Sequence, residues 1–333
     1  DPTPFGTLFT GMLFANLFYW GTNQYVIQRT LGAQNLSEGQ KGVLLSGYFK
    51  LLVPFMMMLP GVIAFHLYGG ELQSIDLAFP TLVKDVLPVY MSGFFLAVLL
   101  GAVFSSFNSL LNSAATLFVL DVYSPALKRP ATDQHLIKVA KIASVVIAIF
   151  SFIVAPLLQH APEGLFQIIR IFTGFYNIPI IAIVIVGLFT KRVPPIAAKL
   201  VIILHIVVYA LLKFVIDVDI NFIHIYGILF VAEVGLMLLI GNYAPLVKPW
   251  HYQPHSKVDM TPWAYAIPAA ITLFSGIILI YITFSPLGLV DGGSSWYLPL
   301  VTAVVLTTVV LCRISLQRWT KAYSRALHWN EDS

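Results

Sequence analysis

The chain is a succession of apolar runs separated by short polar stretches. A membrane-spanning helix needs about 20 mainly apolar residues, and nine segments qualify: Phe5–Ile27, Val43–Leu67, Met91–Val122, Ile142–Leu158, Leu165–Phe189, Ala197–Val215, Phe222–Ile240, Ala264–Phe284 and Leu298–Leu311. Ser37-Glu38-Gly39-Gln40 has the spacing of a capping box and predicts the start of the second helix. Pro54, Pro60, Pro156, Pro179 and Pro268 fall inside spans and predict kinks, tolerated where neighbouring helices satisfy the freed carbonyls. The stretch at about residues 68–90, with Ala78-Phe79-Pro80 and Leu87-Pro88, predicts a short external helix or lid.

Composition sharpens this pattern. Of 333 residues, 58% are apolar and 10% charged, against the ~45–50% and ~25% of soluble domains. Together with a mean hydropathy of +0.85, this excludes a water-soluble fold, a disordered chain and a nucleic-acid partner, and leaves an all-α polytopic membrane protein whose partner is the lipid bilayer. An outer-membrane barrel would show weak alternation, not long runs. One cysteine, Cys312, permits no internal disulfide. No soluble domain, low-complexity tract or short-period repeat interrupts the spans. The opening Asp1-Pro2-Thr3-Pro4, with no initiator Met, basic region or cleavage site, predicts a fragment.

The net charge of +4 is distributed by loop. Arg29, Lys41, Lys128, Arg129, Lys138, Lys141, Lys191, Arg192, Lys199, Lys248, Lys257, Arg313, Arg318, Lys321 and Arg325 occupy one alternating set. Glu71, Asp76, Asp85, Glu163, Asp217, Asp219 and Asp291 occupy the other, whose basic residues are Lys84 and Lys213. By the positive-inside rule, this predicts an external N-terminus and a cytoplasmic C-terminus in a plasma membrane.

Candidate chemistry concentrates in two runs. In the third, Gly93, Ala97, Gly101, Ser105, Ser109 and Ser113 recur every four residues, a stripe that lets another helix approach closely. Beside it lie Ser106, Asn108, Asn112 and Thr116. The Ser105 and Ser106 hydroxyls, with the Ala102 carbonyl one turn earlier, offer neutral oxygen ligands and no carboxylate, a set better suited to sodium than to calcium or magnesium. Helix packing accounts for the same residues, and both readings stand at this level. In the first run, Asn16, Tyr19, Trp20, Asn23 and Gln24 share one helical face, with Gly21 as a break. Amides and aromatic rings suit a neutral polyhydroxylated solute; an interfacial aromatic belt is the alternative.

Charges within spans cost ~2.5–3.5 kcal/mol at the centre and point to function by default. Lys50 lies near the middle of the second span, where a cavity-facing role is expected. Arg170 is in the fifth, a turn before Thr173-Gly174. Glu233, in the seventh, is either a proton site or the partner of a neighbouring polar group. His66, His205 and His224 lack ligand spacing and read as ordinary interfacial residues. No phosphate loop, metal cluster, nucleophile elbow or pair of catalytic carboxylates appears, so no enzyme is expected.

At these residues the chain resembles the sodium/solute symporter family, specifically its sodium/glucose cotransporter group. The resemblance is carried by Asn16-Leu17-Phe18-Tyr19-Trp20-Gly21-Thr22-Asn23-Gln24, Gln28-Arg29-Thr30-Leu31, Ser37-Glu38-Gly39-Gln40-Lys41-Gly42, Lys50-Leu51-Leu52-Val53-Pro54, Ser105-Ser106-Phe107-Asn108-Ser109 and Leu111-Asn112-Ser113-Ala114-Ala115-Thr116. It runs over about Phe5–Arg192 and more loosely beyond, and is closest to a poorly characterised bacterial branch. It implies the second half of a five-plus-five inverted-repeat core over 1–192, with the first repeat missing, and peripheral helices and a cytoplasmic tail over 193–333. It implies sodium ligands at Ala102, Ser105 and Ser106, and solute contacts at Asn16, Tyr19, Trp20, Asn23, Lys50 and Arg170, with Tyr19 gating the internal side.

Sugar-transporting relatives have glutamine where Arg170 stands. Two readings follow: an acidic solute held by the guanidinium fork, or a neutral polyol with Arg170 paired structurally. The implied function is sodium-coupled symport of a sugar, polyol or sugar acid. The rivals are a proton-coupled transporter using Glu233, a sodium- or solute-sensing channel, and a membrane enzyme.

Overall fold

The computed structural model describes residues 4–69, 72, 75–127, 132–160, 165–216, 218, 220–250, 258–289 and 293–331. Glu71, Lys128, Arg129, Glu163, Asp217, Asp219, Lys257 and Asp291, which enter the charge reading, lie outside these residues, as do the side chains of Lys321 and Arg325. All regular structure among the described residues is helical.

In chain order the α-helices are α1 (Gly11–Gly21), α2 (Gln24–Leu31), α3 (Leu36–Lys50), α4 (Leu59–Tyr68), α5 (Ala78–Val86), α6 (Val89–Leu117), α7 (Ser124–Ala126), α8 (Asp133–Val154), α9 (Leu165–Phe189), α10 (Pro195–Ala210), α11 (Phe222–Tyr243), α12 (Ala266–Thr283) and α13 (Tyr297–Glu331). Short 3₁₀ turns at Phe5–Phe9 and Ala155–His160, and π turns at Pro54–Met58, Phe118–Tyr123 and Leu211–Val215, extend or join them.

Eight helical stretches among the described residues are long and apolar enough to cross a membrane, and they match the second to ninth predicted spans. The first predicted span, Phe5–Ile27, is broken in two places. Thr10 leaves helical geometry (φ −117°, ψ −116°) between the 3₁₀ turn and α1. At the far end, the amides of Thr22 and Asn23 both donate to the Phe18 carbonyl at 2.9 and 3.0 Å, which closes α1 beside Gly21. The Asn23 carbonyl then accepts from Val26 and Ile27 to open α2. Hydropathy sees the uninterrupted apolar run and not this exchange of carbonyl partners.

The second helix also starts elsewhere than its capping box suggests. Asn35 is the cap of α3, its Oδ1 accepting from the Glu38 amide at 2.8 Å. Ser37 and Glu38 are thereby inside the helix, and Gln40 Oε1 accepts instead from the Trp263 amide at 2.7 Å. The prolines act unequally. Pro54 opens the π turn between α3 and α4, Pro60 lies in the first turn of α4, and Pro156 lies in the 3₁₀ turn after α8. Pro268 sits in the first turn of α12, where no helical N–H is needed. Pro179 lies inside α9, which continues through it to Phe189. The 68–90 stretch contains the short helix expected there, α5.

The chain divides into two compact units, residues 1–28 with 72–255 and residues 29–71 with 256–333. In the first unit, α1, α9, α10 and α11 enclose the core, where Phe18, Ile178, Ala182, Tyr209, Ile223 and Tyr226 are buried. The apolar windows of α9 and α11 are each 44% buried, those of α6 and α8 not at all, so the core lies in the four-helix cluster, and α6 packs beside α8, with Phe107 against Phe152.

Glycine sets the spacing of this cluster. A Cβ on Gly11 would overlap the Ile223 carbonyl, one on Gly174 would lie 2.5 Å from ring carbons of Tyr226, and one on Gly241 would meet Val193 at 2.6 Å. In the second unit, α12 packs between α3 and α13. Tyr48 donates to the Ala269 carbonyl at 2.8 Å, Thr308 to Ser275 at 2.6 Å, and the Leu36 amide to the Asp259 carbonyl at 3.0 Å. The Asp259 carboxylate accepts from the amide and hydroxyl of Thr261, which holds it below the usual carboxylate range.

Two stability measurements follow, both by thermal melting of the detergent-purified full-length protein. Gly174→Ala overpacks the α9–α11 contact and costs ~1–3 kcal/mol, whereas Gly187→Ala on the same helix, with nothing within 4 Å of its added Cβ, is neutral or stabilising by up to about 1 kcal/mol. Asn35→Ala removes the α3 cap at a cost of about 1 kcal/mol, while Ser37→Ala leaves the melting temperature unchanged; the reverse order would restore the capping box.

Candidate functional site

On α6, the Ala102 carbonyl and the Ser105 and Ser106 side chains occupy one turn of a continuous helix in the first unit. A membrane-helix hydroxyl ordinarily donates to the carbonyl three or four residues back. Ser109 does so to Ser105 at 2.9 Å and Thr116 to Asn112 at 2.8 Å. Ser144 and Ser151 on α8, Thr173 on α9 and Thr190 just past its end behave alike. The hydroxyls of Ser105 and Ser106 make no hydrogen bond among the described residues, and both side chains are exposed. Two adjacent hydroxyl oxygens are thus uncommitted on α6, as is that of Ser113 further along the helix, whereas Ser109 and Thr116 are committed. One turn further on, Gln28 Nε2 donates to the Ser109 carbonyl at 3.2 Å, tying the α2 segment to this part of α6.

The first segment presents its polar face away from the core. Phe18 is buried, whereas Asn16, Leu17 and Trp20 are exposed and Tyr19 and Asn23 half-buried. Asn16 Nδ2 donates to the Met12 carbonyl at 2.9 Å. The Tyr19 ring meets Trp20 edge-on at 4.8 Å, and its hydroxyl hydrogen-bonds that of Tyr25 across the α1–α2 break.

Arg170 reaches the same helix. Its Nη2 donates to Met12 Sδ at 3.2 Å, and its guanidinium lies 5.8 Å from the Phe222 ring centroid. Met12 thereby links Arg170 to Asn16. Of the predicted solute residues, Asn16, Tyr19, Trp20, Asn23 and Arg170 belong to the first unit, while Lys50 ends α3 in the second, with its side chain exposed.

The four-helix cluster also contains a polar relay. His205, read from sequence as interfacial, is fully buried. This is a correction: it stands at the middle of α10, and the same expected span, Ala197–Val215, already put it there. Its Nδ1 lies 2.5 Å from Glu233 Oε1 and its Nε2 3.0 Å from the Gly174 carbonyl. Glu233, also fully buried, therefore has the neighbouring polar partner that was one of its two readings.

Two tyrosines complete the relay. Tyr226 donates to the Arg170 carbonyl at 2.6 Å, and the Tyr209 hydroxyl shares its hydrogen between the Ile171 carbonyl at 3.1 Å and Tyr226 at 3.4 Å. Three carbonyls of α9, those of Arg170, Ile171 and Gly174, thus receive side chains from α10 and α11. His224 bonds Thr10 Oγ1 through Nδ1 at 3.0 Å, at the first break of the broken segment. Sequence reasoning did not find Tyr209, Tyr226 or Asn177; the isolated polar tips of the tyrosines inside apolar helices were their signal. Among the described residues, no group of three or more His, Cys, Asp or Glu has metal-site geometry.

Comparison with known proteins gives this arrangement a context. Residues 3–198 match the model of the sodium:solute symporter family. The chain is 38% identical over 332 residues to a protein of Escherichia coli (strain K12) described as an uncharacterized symporter, YidK, covering 100% of the chain and 57% of that protein. It is 37% identical over 201 residues to the sodium/glucose cotransporter of Vibrio parahaemolyticus, covering 56% of the chain and 37% of that protein. To the sodium/glucose cotransporter 1 of Ovis aries it is 32% identical over 207 residues, covering 57% and 31%. The chain thus spans between about a third and just over half of the length of these relatives. Members of the matched family are transporters and not enzymes. With the match covering more than half of this all-helical, multi-pass chain, and its stretch containing α1, α6 and α9, the chain belongs to the sodium:solute symporter family.

Proposed function

We propose that this chain carries the second repeat, over 1–192, and the peripheral helices, over 193–333, of a transporter that couples inward sodium movement to uptake of a small polar solute across the plasma membrane. The observation that carries the reading is on α6: in a family of sodium symporters, the adjacent Ser105 and Ser106 both keep their hydroxyls unspent, while Ser109 and Thr116 on the same helix bond backward. Sodium takes the Ser105 and Ser106 hydroxyls and the Ala102 carbonyl as neutral oxygen ligands. Its remaining ligands come from the part of the transporter outside this chain. The broken first segment supplies the solute face, with Asn16 and Asn23 as hydrogen-bonding groups and Tyr19 and Trp20 as the flat wall.

Sodium drives transport only through a difference in affinity between states. A ligand set shared between α6 and another helix provides one, because the set is complete only when the two helices are close. The N-terminus of the chain lies outside and its C-terminus in the cytoplasm, a reading supported by the alternation of basic and acidic loops.

For Arg170, the contacts to Met12 Sδ and the Phe222 ring favour the structural role over the carboxylate fork. The solute is accordingly a neutral polyhydroxylated molecule, a sugar or polyol. The names of the sodium/glucose cotransporter relatives are consistent with this class.

Reconstituted full-length transporter tests both assignments by solute-evoked charge movement. Ser106→Ala removes one ligand and raises the sodium concentration for half-maximal response about tenfold, the equivalent of ~1.4 kcal/mol, with unchanged melting temperature. An unaltered sodium dependence would sink the site. Arg170→Gln lowers the melting temperature but leaves the preference for neutral over acidic sugars in place; loss of a response to sugar acids in that variant would instead establish the carboxylate fork.

A further inference from the structure

We propose that His205 and Glu233 form a buried proton-binding site, holding one proton more than a neutral imidazole and a carboxylate would hold together. The argument is one of donors and acceptors. The Gly174 carbonyl can only accept, so His205 Nε2, 3.0 Å away, brings a hydrogen to it. That leaves Nδ1 and Glu233 Oε1 facing each other at 2.5 Å. In a neutral imidazole with Nε2–H, Nδ1 is a bare lone pair, and so is a carboxylate oxygen. Two lone pairs do not approach to this distance in a buried site. A hydrogen therefore lies between them, either as imidazolium beside carboxylate or as imidazole accepting from a carboxylic acid. The proton count is the same in both forms.

Among the described residues, no third His, Cys, Asp or Glu joins the pair in a group that could hold a metal ion in the proton's place. The surroundings agree. Glu233 is fully buried, and its second oxygen, Oε2, meets no donor among the described residues, so nothing there compensates a full, unshared carboxylate charge. Asn177 Oδ1, one turn beyond Gly174 on α9, is likewise buried without a donor.

The other ionisable groups of the cluster do not supply the proton. Tyr209 stacks on the His205 ring with centroids 5.6 Å apart, and its hydroxyl is committed to Ile171 and Tyr226. Tyr226 is committed to the Arg170 carbonyl, and the Arg170 guanidinium turns to Met12 and Phe222. On α1, Tyr19 bonds Tyr25. His224 on α11 engages Thr10. The site is separate from the α6 oxygens and stands whether or not those bind sodium.

Equilibrium unfolding of the full-length protein in mixed micelles, wild type against Glu233→Gln, counts this proton. The glutamine amide donates to Nδ1 without titrating, so the variant's folded state holds one proton fewer at the pair. Above about pH 5 the unfolded chain carries Glu233 ionised, so wild type releases a proton on unfolding that the variant does not have. The expected result is that the folding constant of wild type relative to Glu233→Gln falls tenfold for each pH unit between 5 and 8. His205 and His224 titrate alike in both unfolded chains and cancel. A ratio independent of pH means no shared proton and overturns the proposal.

If Glu233→Gln does not fold, ¹⁵N magnetic resonance of wild type labelled at histidine and at glycine carbonyl carbon decides. The His205 ring is identified by its coupling to Gly174. A protonated Nε2, with Nδ1 either protonated or accepting, supports the site; a neutral ring with Nδ1–H and bare Nε2 overturns it.

Discussion

An oxygen taken into an apolar helix cluster is costly unless it finds a hydrogen there, because no water is present to supply one. The rest of the first unit is arranged around this constraint. α9 carries Gly174, where the lack of a side chain admits the Tyr226 ring, and carbonyls on the same stretch accept from His205, Tyr209 and Tyr226. The polar tips of α10 and α11 are satisfied by the backbone of α9, not by one another alone. This fixes the rotation of each helix about its axis as well as its distance. An apolar cluster of the same volume would tolerate sliding by a residue; side chains bonded to particular carbonyls of α9 do not.

The same logic reaches the broken segment. Gly11 and Gly227 bring α1 against α11 so closely that a Cβ on either would press on the other's backbone. Thr10, at the break before α1, is held by His224 from α11. The segment with the proposed solute face is thus anchored at its start by helices that sequence assigned to the periphery. Compactness and descent are different properties: 193–333 can lie outside the repeat and still contribute, through α10 and α11, the wall on which α1 rests.

Much of this was legible in the chain. Eight spans, the oxygen-rich face of α6 and the amide and aromatic face of the first segment are visible because hydropathy and helical spacing are local properties. Three features were not. The break at Thr22 depends on which carbonyl two amides share, and Gly21 only hinted at it. Asn35 displaced the capping box because either residue chemistry caps a helix and only the fold decides which one is positioned to do so. His205 failed for a different reason. Its polarity was read against lipid and headgroup, when its partner was Glu233, 28 positions away on the next helix; no periodicity within one span can show a pair made across two.

Set side by side, α6 and α9 show two uses of the same kind of group. On α9 the carbonyls of Arg170, Ile171 and Gly174 accept from tyrosine and histidine of neighbouring helices, and Thr173 bonds its own helix at 3.1 Å. On α6 the hydroxyls of Ser109 and Thr116 are spent on the turn behind them, while those of Ser105 and Ser106 are not. A small-residue stripe alone does not require hydroxyls at Ser105 and Ser106, because alanine would serve the close approach equally well; the sodium reading proposed for them accounts for what packing leaves over.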